Sequence, residues 1–202
     1  IDVLIGCVVG TVFAFLIPLW KREALAANSA SYADLVANWI HAIGDAIRAD
    51  AEERPNKLAQ VRMAGTRARD GRQVAITTFN TAMLEPPTDQ LDTGAVGVVL
   101  SWIRRASDAA IAAETILRHD WPTSAIASEL ADATEADLRQ AAVVMRSDDY
   151  SPELDEQLSR PTALARKAID QPTGDRVAAL MARAEVSASA ALRASHQVVI
   201  ES

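Results

Sequence analysis

The sequence predicts an all-α protein, with one transmembrane helix followed by a cytoplasmic bundle of long antiparallel helices. Three observations carry that expectation. An uncharged, strongly apolar run fills residues 3–20. Elsewhere, apolar residues recur at steps of three, four and seven, the spacing of one helical face. Proline falls at a few points that separate Ala-rich stretches of helix length, and no period-two pattern proposes a strand.

The apolar run comes first. Eleven of the eighteen positions from Val3 to Trp20 are Val, Leu, Ile or Phe, which together favour insertion by roughly 5 kcal/mol. Gly6, Gly10, Thr11 and Pro18 subtract from that sum. Asp2 sits at the end of the run, where a charge costs far less than the roughly 3 kcal/mol of the bilayer centre. Eighteen helical residues reach about 27 Å, the short side of a hydrocarbon core. An acid precedes the run and Lys21-Arg22 follow it, the reverse of a secretory signal. Basic residues at the exit place the rest of the chain in the cytoplasm. A buried helix of a soluble bundle is the competing reading, because apolar residues lie on every face. Gly6 and Gly10, four apart and flanked by Cys7 and Thr11, make a stripe suited to close helix packing. With no initiator Met, that stripe leads to the expectation that 1–20 is the last span of a larger membrane domain.

Behind the run, residues 21–120 read as a cytoplasmic helical bundle. A first helix, about 22–54, carries Leu25, Tyr32, Leu35, Trp39, Ile43 and Ile47 on one face. A second, about 57–85, carries Leu58, Val61, Ala68, Ala75, Phe79 and Met83. A third, about 92–119, carries Val96, Val99, Ile103, Ala110 and Leu117. Short Pro-containing turns should fold the three back on one another. Residues 121–202 read as a C-terminal helical segment packing on the bundle. It has helices at about 124–147 (Ile126, Leu130, Leu138, Val143, Val144) and 174–199 (Val177, Leu180, Met181, Ala184, Ala188, Ala191, Val198). Shorter helices are expected near 153–159 and after Pro161.

Composition removes several classes of function. A net charge of −7 over 202 residues disfavours non-specific nucleic-acid binding. One Cys makes no disulfide framework. His41, His119 and His196 lack ligand spacing, so no metal is proposed. No Gly-rich loop cradles a phosphate and no Ser sits in a nucleophile motif. The expectation is a non-enzyme without cofactors.

Two candidate sites remain. Asp2, a carboxylate at a span end, is a candidate for substrate or proton coupling; against that stands a plain interfacial residue that stabilises the helix start. Arg62, Arg67, Arg69 and Arg72 crowd the second helix as a candidate anion- or lipid-facing basic cluster. The plainer account is a solvated face balanced by acids such as Asp45, Asp50, Glu52 or Glu53. Glu85 before Pro86-Pro87 reads as a helix end. Trp102 with Arg104-Arg105 reads as a half-buried helix position or a membrane-proximal belt.

Two stretches resemble the fusaric acid resistance-like family of inner-membrane exporters, related to the aromatic acid exporters. One is Ile1-Asp2-Val3-Leu4-Ile5-Gly6 followed, a span later, by Pro18-Leu19-Trp20. The other runs from Arg62 to His119, with Arg67-Ala68-Arg69-Asp70 leading to Ala82-Met83-Leu84-Glu85-Pro86. The resemblance covers about residues 1–120. It implies the C-terminal cytoplasmic part of a bacterial inner-membrane exporter of small organic, often aromatic carboxylic, acids, coupled to the proton gradient. Its partners would be the membrane, the rest of its own transporter chain, small organic anions and, as one assembly, a second copy in a homodimer. The alternative is a single-span or soluble helical scaffold that binds a partner without transport; a soluble enzyme whose first helix is core is a third reading.

Overall fold

Residues 2–48 form a single helix in the computed structural model, which describes residues 2–84, 92–119, 123–147, 165 and 175–200. For residues 2–23, 197, 199 and 200 the backbone alone is described. The helices in order are α1 (Asp2–Arg48), α2 (Arg54–Ala82), α3 (Thr93–Leu117), α4 (Ala125–Arg146) and α5 (Arg176–Ile200). Among the described residues there is no strand, so the fold is an all-α bundle.

The backbone helix α1 runs unbroken through Pro18, although proline separates helical stretches elsewhere in the chain. Proline removes one backbone bond and tends to bend a helix, but does not have to end it. The expected span at 1–20 falls on residues whose side chains lie outside the described set. Among the described residues, no helix is long and apolar enough to cross a membrane.

Local chemistry sets the turns. Asp50 Oδ1 accepts from the amides of Glu52 and Glu53 at 3.0 and 2.9 Å, closing the α1–α2 turn. Pro55 follows in the first turn of α2, where its missing amide costs little. Asp92 caps α3, its carboxylate accepting from Gly94 N at 2.7 Å. Glu85, Pro86 and Pro87, and the short helices expected near 153–159 and after Pro161, lie outside the described residues; Ala165 alone is described there, helical and buried.

Side-chain pairs fix the directions. Asn28 donates to Thr78 and Lys57 pairs with Asp45, so numbers rise on α1 as they fall on α2. Arg146–Asp34, Arg139–Asn38, His41–Glu135 and Arg48–Asp132 make the same antiparallel ladder between α1 and α4. The seam between α4 and α5 is different. Asp175 Oδ2 accepts from Ser124 N at 2.7 Å while its Oδ1 accepts from Ala178 N at 2.9 Å. One carboxylate thus serves the starts of both helices, and α4 and α5 run parallel. In space α1 packs on α2 and α4, α5 packs on α4 and α3, and α3 closes more lightly on α1. Helix α2 flanks this ring. The C-terminal helices α4 and α5 thus pack on α1 and α3.

The core is built mostly from alanine around a few large side chains. Trp39, Tyr32, Leu25, Ile43, Ile103, Leu130 and Leu138 are all fully buried. The expected stripes of α3 and α5 are buried, except that Leu180 is half-buried. Two expected core positions are not: Met83 is 56% exposed and Val143 is 50% exposed. Met83 lies past the last turn of α2, where the stripe has run off its neighbour. On α4, Val144 takes the inward position that Val143 could also have held.

Thin cores need close helix axes, and glycine supplies that at the α1–α2 seam. A Cβ on Gly65 would stand 2.8 Å from the buried Trp39 ring, and one on Gly71 would run into Leu35 Cδ1.

Candidate functional site

Helices α2 and α3 diverge over α1 and leave a cleft of about 280 Å³ between them. Its floor is Tyr32 of α1, its walls are Arg72, Ile76 and Phe79 of α2 and Gly97, Leu100, Ser101 and Arg104 of α3. The width is set by a glycine: a Cβ at Gly97 would lie 3.0 Å from Phe79 Cζ, so only glycine lets the Phe79 ring lean on the α3 backbone. Ligand clefts run upward from roughly 300 Å³, so this one suits a single-ring molecule.

The polar groups of the cleft are two cations and two hydroxyls. Arg72 is half-buried and has no ion-pair partner among the described residues. Arg104 pairs with Asp108 at 3.9 Å, with both side chains more than half exposed. Such an exposed pair contributes about 0–1 kcal/mol and leaves the guanidinium available. Tyr32 is 1% exposed, and the side chain beside its buried hydroxyl is Ser107. Burial pushes the Tyr32 hydroxyl above its ordinary value, although nearby Ser107 and the Arg72 and Arg104 charges pull it down. It therefore remains a protonated donor at neutral pH. The cleft lining thus combines two guanidinium groups and a buried O–H with the apolar faces of Phe79, Ile76 and Leu100.

Helix geometry keeps Arg62, Arg69 and Arg72, spaced by seven and three, on one side of α2 and sets Arg67 on the other. Arg72 enters the cleft. Arg69 lies over the Trp39 ring at 5.7 Å and donates to Thr66. Arg67 lines a second groove of about 340 Å³, with Asn28, Ser31, Leu35, Asp70, Gly71 and Val74, on the α1–α2 seam. Arg62 is exposed. The α1 acids that would balance such a face are occupied elsewhere: Asp45 by Lys57 and Arg48, Asp50 by the turn amides. Asp2 belongs to α1, but its side chain lies outside the described residues.

Three cleft residues are visible in the sequence only in other roles. Tyr32 and Phe79 read as core, and Arg104 as the neighbour of Trp102. Trp102 is in fact covered by Arg105, whose guanidinium lies 4.5 Å from its ring. That placement turns Arg105 away and leaves Arg104 to the cleft. Ser101 and Gly97 carry no signal along the chain, because what matters is the helix they face. Among the described residues, no group of three His, Cys, Asp or Glu side chains is placed to hold a metal ion. No protein-family model, curated protein or solved structure matches this chain.

Proposed function

We propose that this chain is the C-terminal cytoplasmic region of an inner-membrane exporter of small organic acids, and that its bundle receives an aromatic carboxylate in the α1–α2–α3 cleft. The observation that carries the reading is the placement of Arg72 and Arg104 on opposite walls of a cleft whose floor is Tyr32. A carboxylate there would accept from the guanidinium groups and from Tyr32 Oη, while its ring lies against Phe79 and Ile76. The apolar run at 3–20 with its Lys21-Arg22 exit supports a place at the membrane. The likeness of residues 1–120 to the exporter family supports the substrate class. The residues lining the cleft offer cations and a donor but no nucleophile beside a base, so the role proposed is binding, with no chemical step.

Calorimetric titration of the chain with a panel of monocyclic aromatic carboxylates tests the cleft. Removing one guanidinium hydrogen bond to a carboxylate should weaken binding by about tenfold or more. Arg72→Ala and Arg104→Ala should each do so, and Tyr32→Phe somewhat less. Equal affinity in wild type and both Arg variants, or no binding by any acid of the panel, removes the cleft reading. Alkaline carbonate extraction of native membranes tests the placement: release of the protein into the soluble fraction removes the membrane reading.

A further inference from the structure

The seam between the parallel helices α4 and α5 buries two carboxyl groups that the cleft does not use. Glu185 of α5 is 0% exposed, and both its carboxyl oxygens lack a hydrogen-bond partner among the described residues. Asp137 of α4 is 8% exposed, and its Oδ2 is also unpartnered among them. The hydroxyl nearest Glu185 is Thr134, which already donates to the Leu130 carbonyl at 2.7 Å and has no second hydrogen to give. Ala141 of α4 and Ala184 and Ala188 of α5 are fully buried as well. A buried charge without a partner is among the costliest features a core can hold. This seam holds two such carboxyls, one on each helix, near enough for the Asp137 charge to act on Glu185.

The charged groups around the pair are few among the described residues. On α5, Arg193 acts on Asp137 from an exposed position and donates to Ser189 at 3.4 Å. His196 lies further along the same face of α5 and is engaged in an interaction of its own. From α3, the other helix packed on α5, the buried acid is Glu114, which is neutralised by Arg118. From α4 come Asp137 and Thr134. Among the described residues, neither neighbouring helix supplies a cation to Glu185.

We propose that Asp137 and Glu185 form a proton-operated latch, which holds α5 on α4 while Glu185 carries a proton and loosens α5 when both carboxyls are ionised. The direction follows from the environment. Burial first, and the Asp137 charge second, push Glu185 up to about 8. Burial pushes Asp137 up to about 6, against the pull of Arg193. Both values lie above those of the unfolded chain, so the folded state keeps protons that the unfolded state releases. Stability is therefore full at acid pH, falls as pH rises past the ordinary carboxylate range, and has lost its last share once Glu185 ionises near 8. At neutral pH the pair carries one charge, and mildly alkaline conditions bring the second. Because α5 also packs on α3, which carries Ser101 and Arg104, loosening α5 frees the outer wall of the cleft. The latch itself stands whether or not the cleft binds an acid.

Hydrogen exchange of the full chain between about pH 6 and pH 9, corrected for the base catalysis of exchange itself, tests the latch. Wild-type protection across 125–146 and 176–200 should fall by about tenfold or more over that range. In Glu185→Gln, which keeps shape and polarity but cannot ionise, protection should stay flat. In Asp137→Asn the loss should persist but begin at lower pH, because Glu185 then ionises without a neighbouring charge. Unchanged wild-type protection overturns the latch, as does an equal loss in Glu185→Gln. If that variant does not fold, an unshifted onset in Asp137→Asn overturns it.

Discussion

A single Cβ decides how close two of these helices can come, and the two glycines of the α1–α2 seam should answer differently to the same substitution. At Gly65 the obstacle is the indole of Trp39, a rigid ring that is 0% exposed and cannot step aside. Overpacking of this kind costs typically about 1–3 kcal/mol, more than the roughly 1 kcal/mol gained by replacing glycine with alanine inside a helix. At Gly71 the obstacle is the terminal methyl of Leu35, a half-buried and flexible side chain that can rotate away. Gly65→Ala should therefore lower the unfolding free energy by up to about 2 kcal/mol, and Gly71→Ala should leave it unchanged or raise it by up to about 1 kcal/mol. Urea unfolding of the two variants beside wild type checks the order; a Gly65→Ala protein as stable as Gly71→Ala contradicts this account of the seam. The cleft depends on the same kind of detail, since Gly97 is what admits the Phe79 ring.

At the scale of elements, Asp175 is the residue that joins two helix starts. Ser124, the N-cap of α4, makes no side-chain cap of its own. Asp175 accepts from the Ser124 backbone amide with one oxygen and caps α5 with the other. A negative charge there also faces the positive ends of two parallel helix dipoles. A cap alone contributes about 0.5–2 kcal/mol, and this one serves twice. Asp175→Ala should cost about 2–3 kcal/mol, whereas Asp92→Ala, which removes the cap of α3 alone, should cost about 1 kcal/mol. Thermal unfolding of the two variants compares them directly. Equal losses would mean that the link to Ser124 contributes nothing. The parallel pairing of α4 and α5 matters for the latch as well, because it sets Glu185 beside Asp137 and Thr134 instead of at the far end of the seam.

Over the whole molecule, the outer α1–α4 ladder sets alignment more than stability. Arg48–Asp132, His41–Glu135 and Arg146–Asp34 are at least partly exposed, and such pairs contribute about 0.2–1 kcal/mol each and weaken as salt rises. A double-mutant cycle on Arg48 and Asp132 should return a coupling below about 1 kcal/mol in low salt and close to zero in molar salt; a coupling several times larger would mean that the ladder holds the bundle together. Local order is what the sequence by itself determined: helices at about 57–85, 92–119, 124–147 and 174–199, the buried stripes of α3 and α5, and an unbroken apolar run at the start, although the boundary it set near Pro18 is absent from the single helix α1. These are legible because a helix repeats every 3.6 residues and its bonds close within four. The tertiary structure alone decided which helix met which. Tyr32, Arg72 and Arg104 are separated by forty and thirty-two residues, and no local pattern brings them to one cleft. Likewise Glu185 continues the Met181–Ala184–Ala188 stripe, and Asp137 that of Leu130 and Leu138, so each stands as a polar residue on an apolar face. Whether such a residue meets water, a cation or another carboxyl depends on the opposing helix, and pairing between distant helices is governed by packing of whole surfaces, which periodicity along one chain does not record.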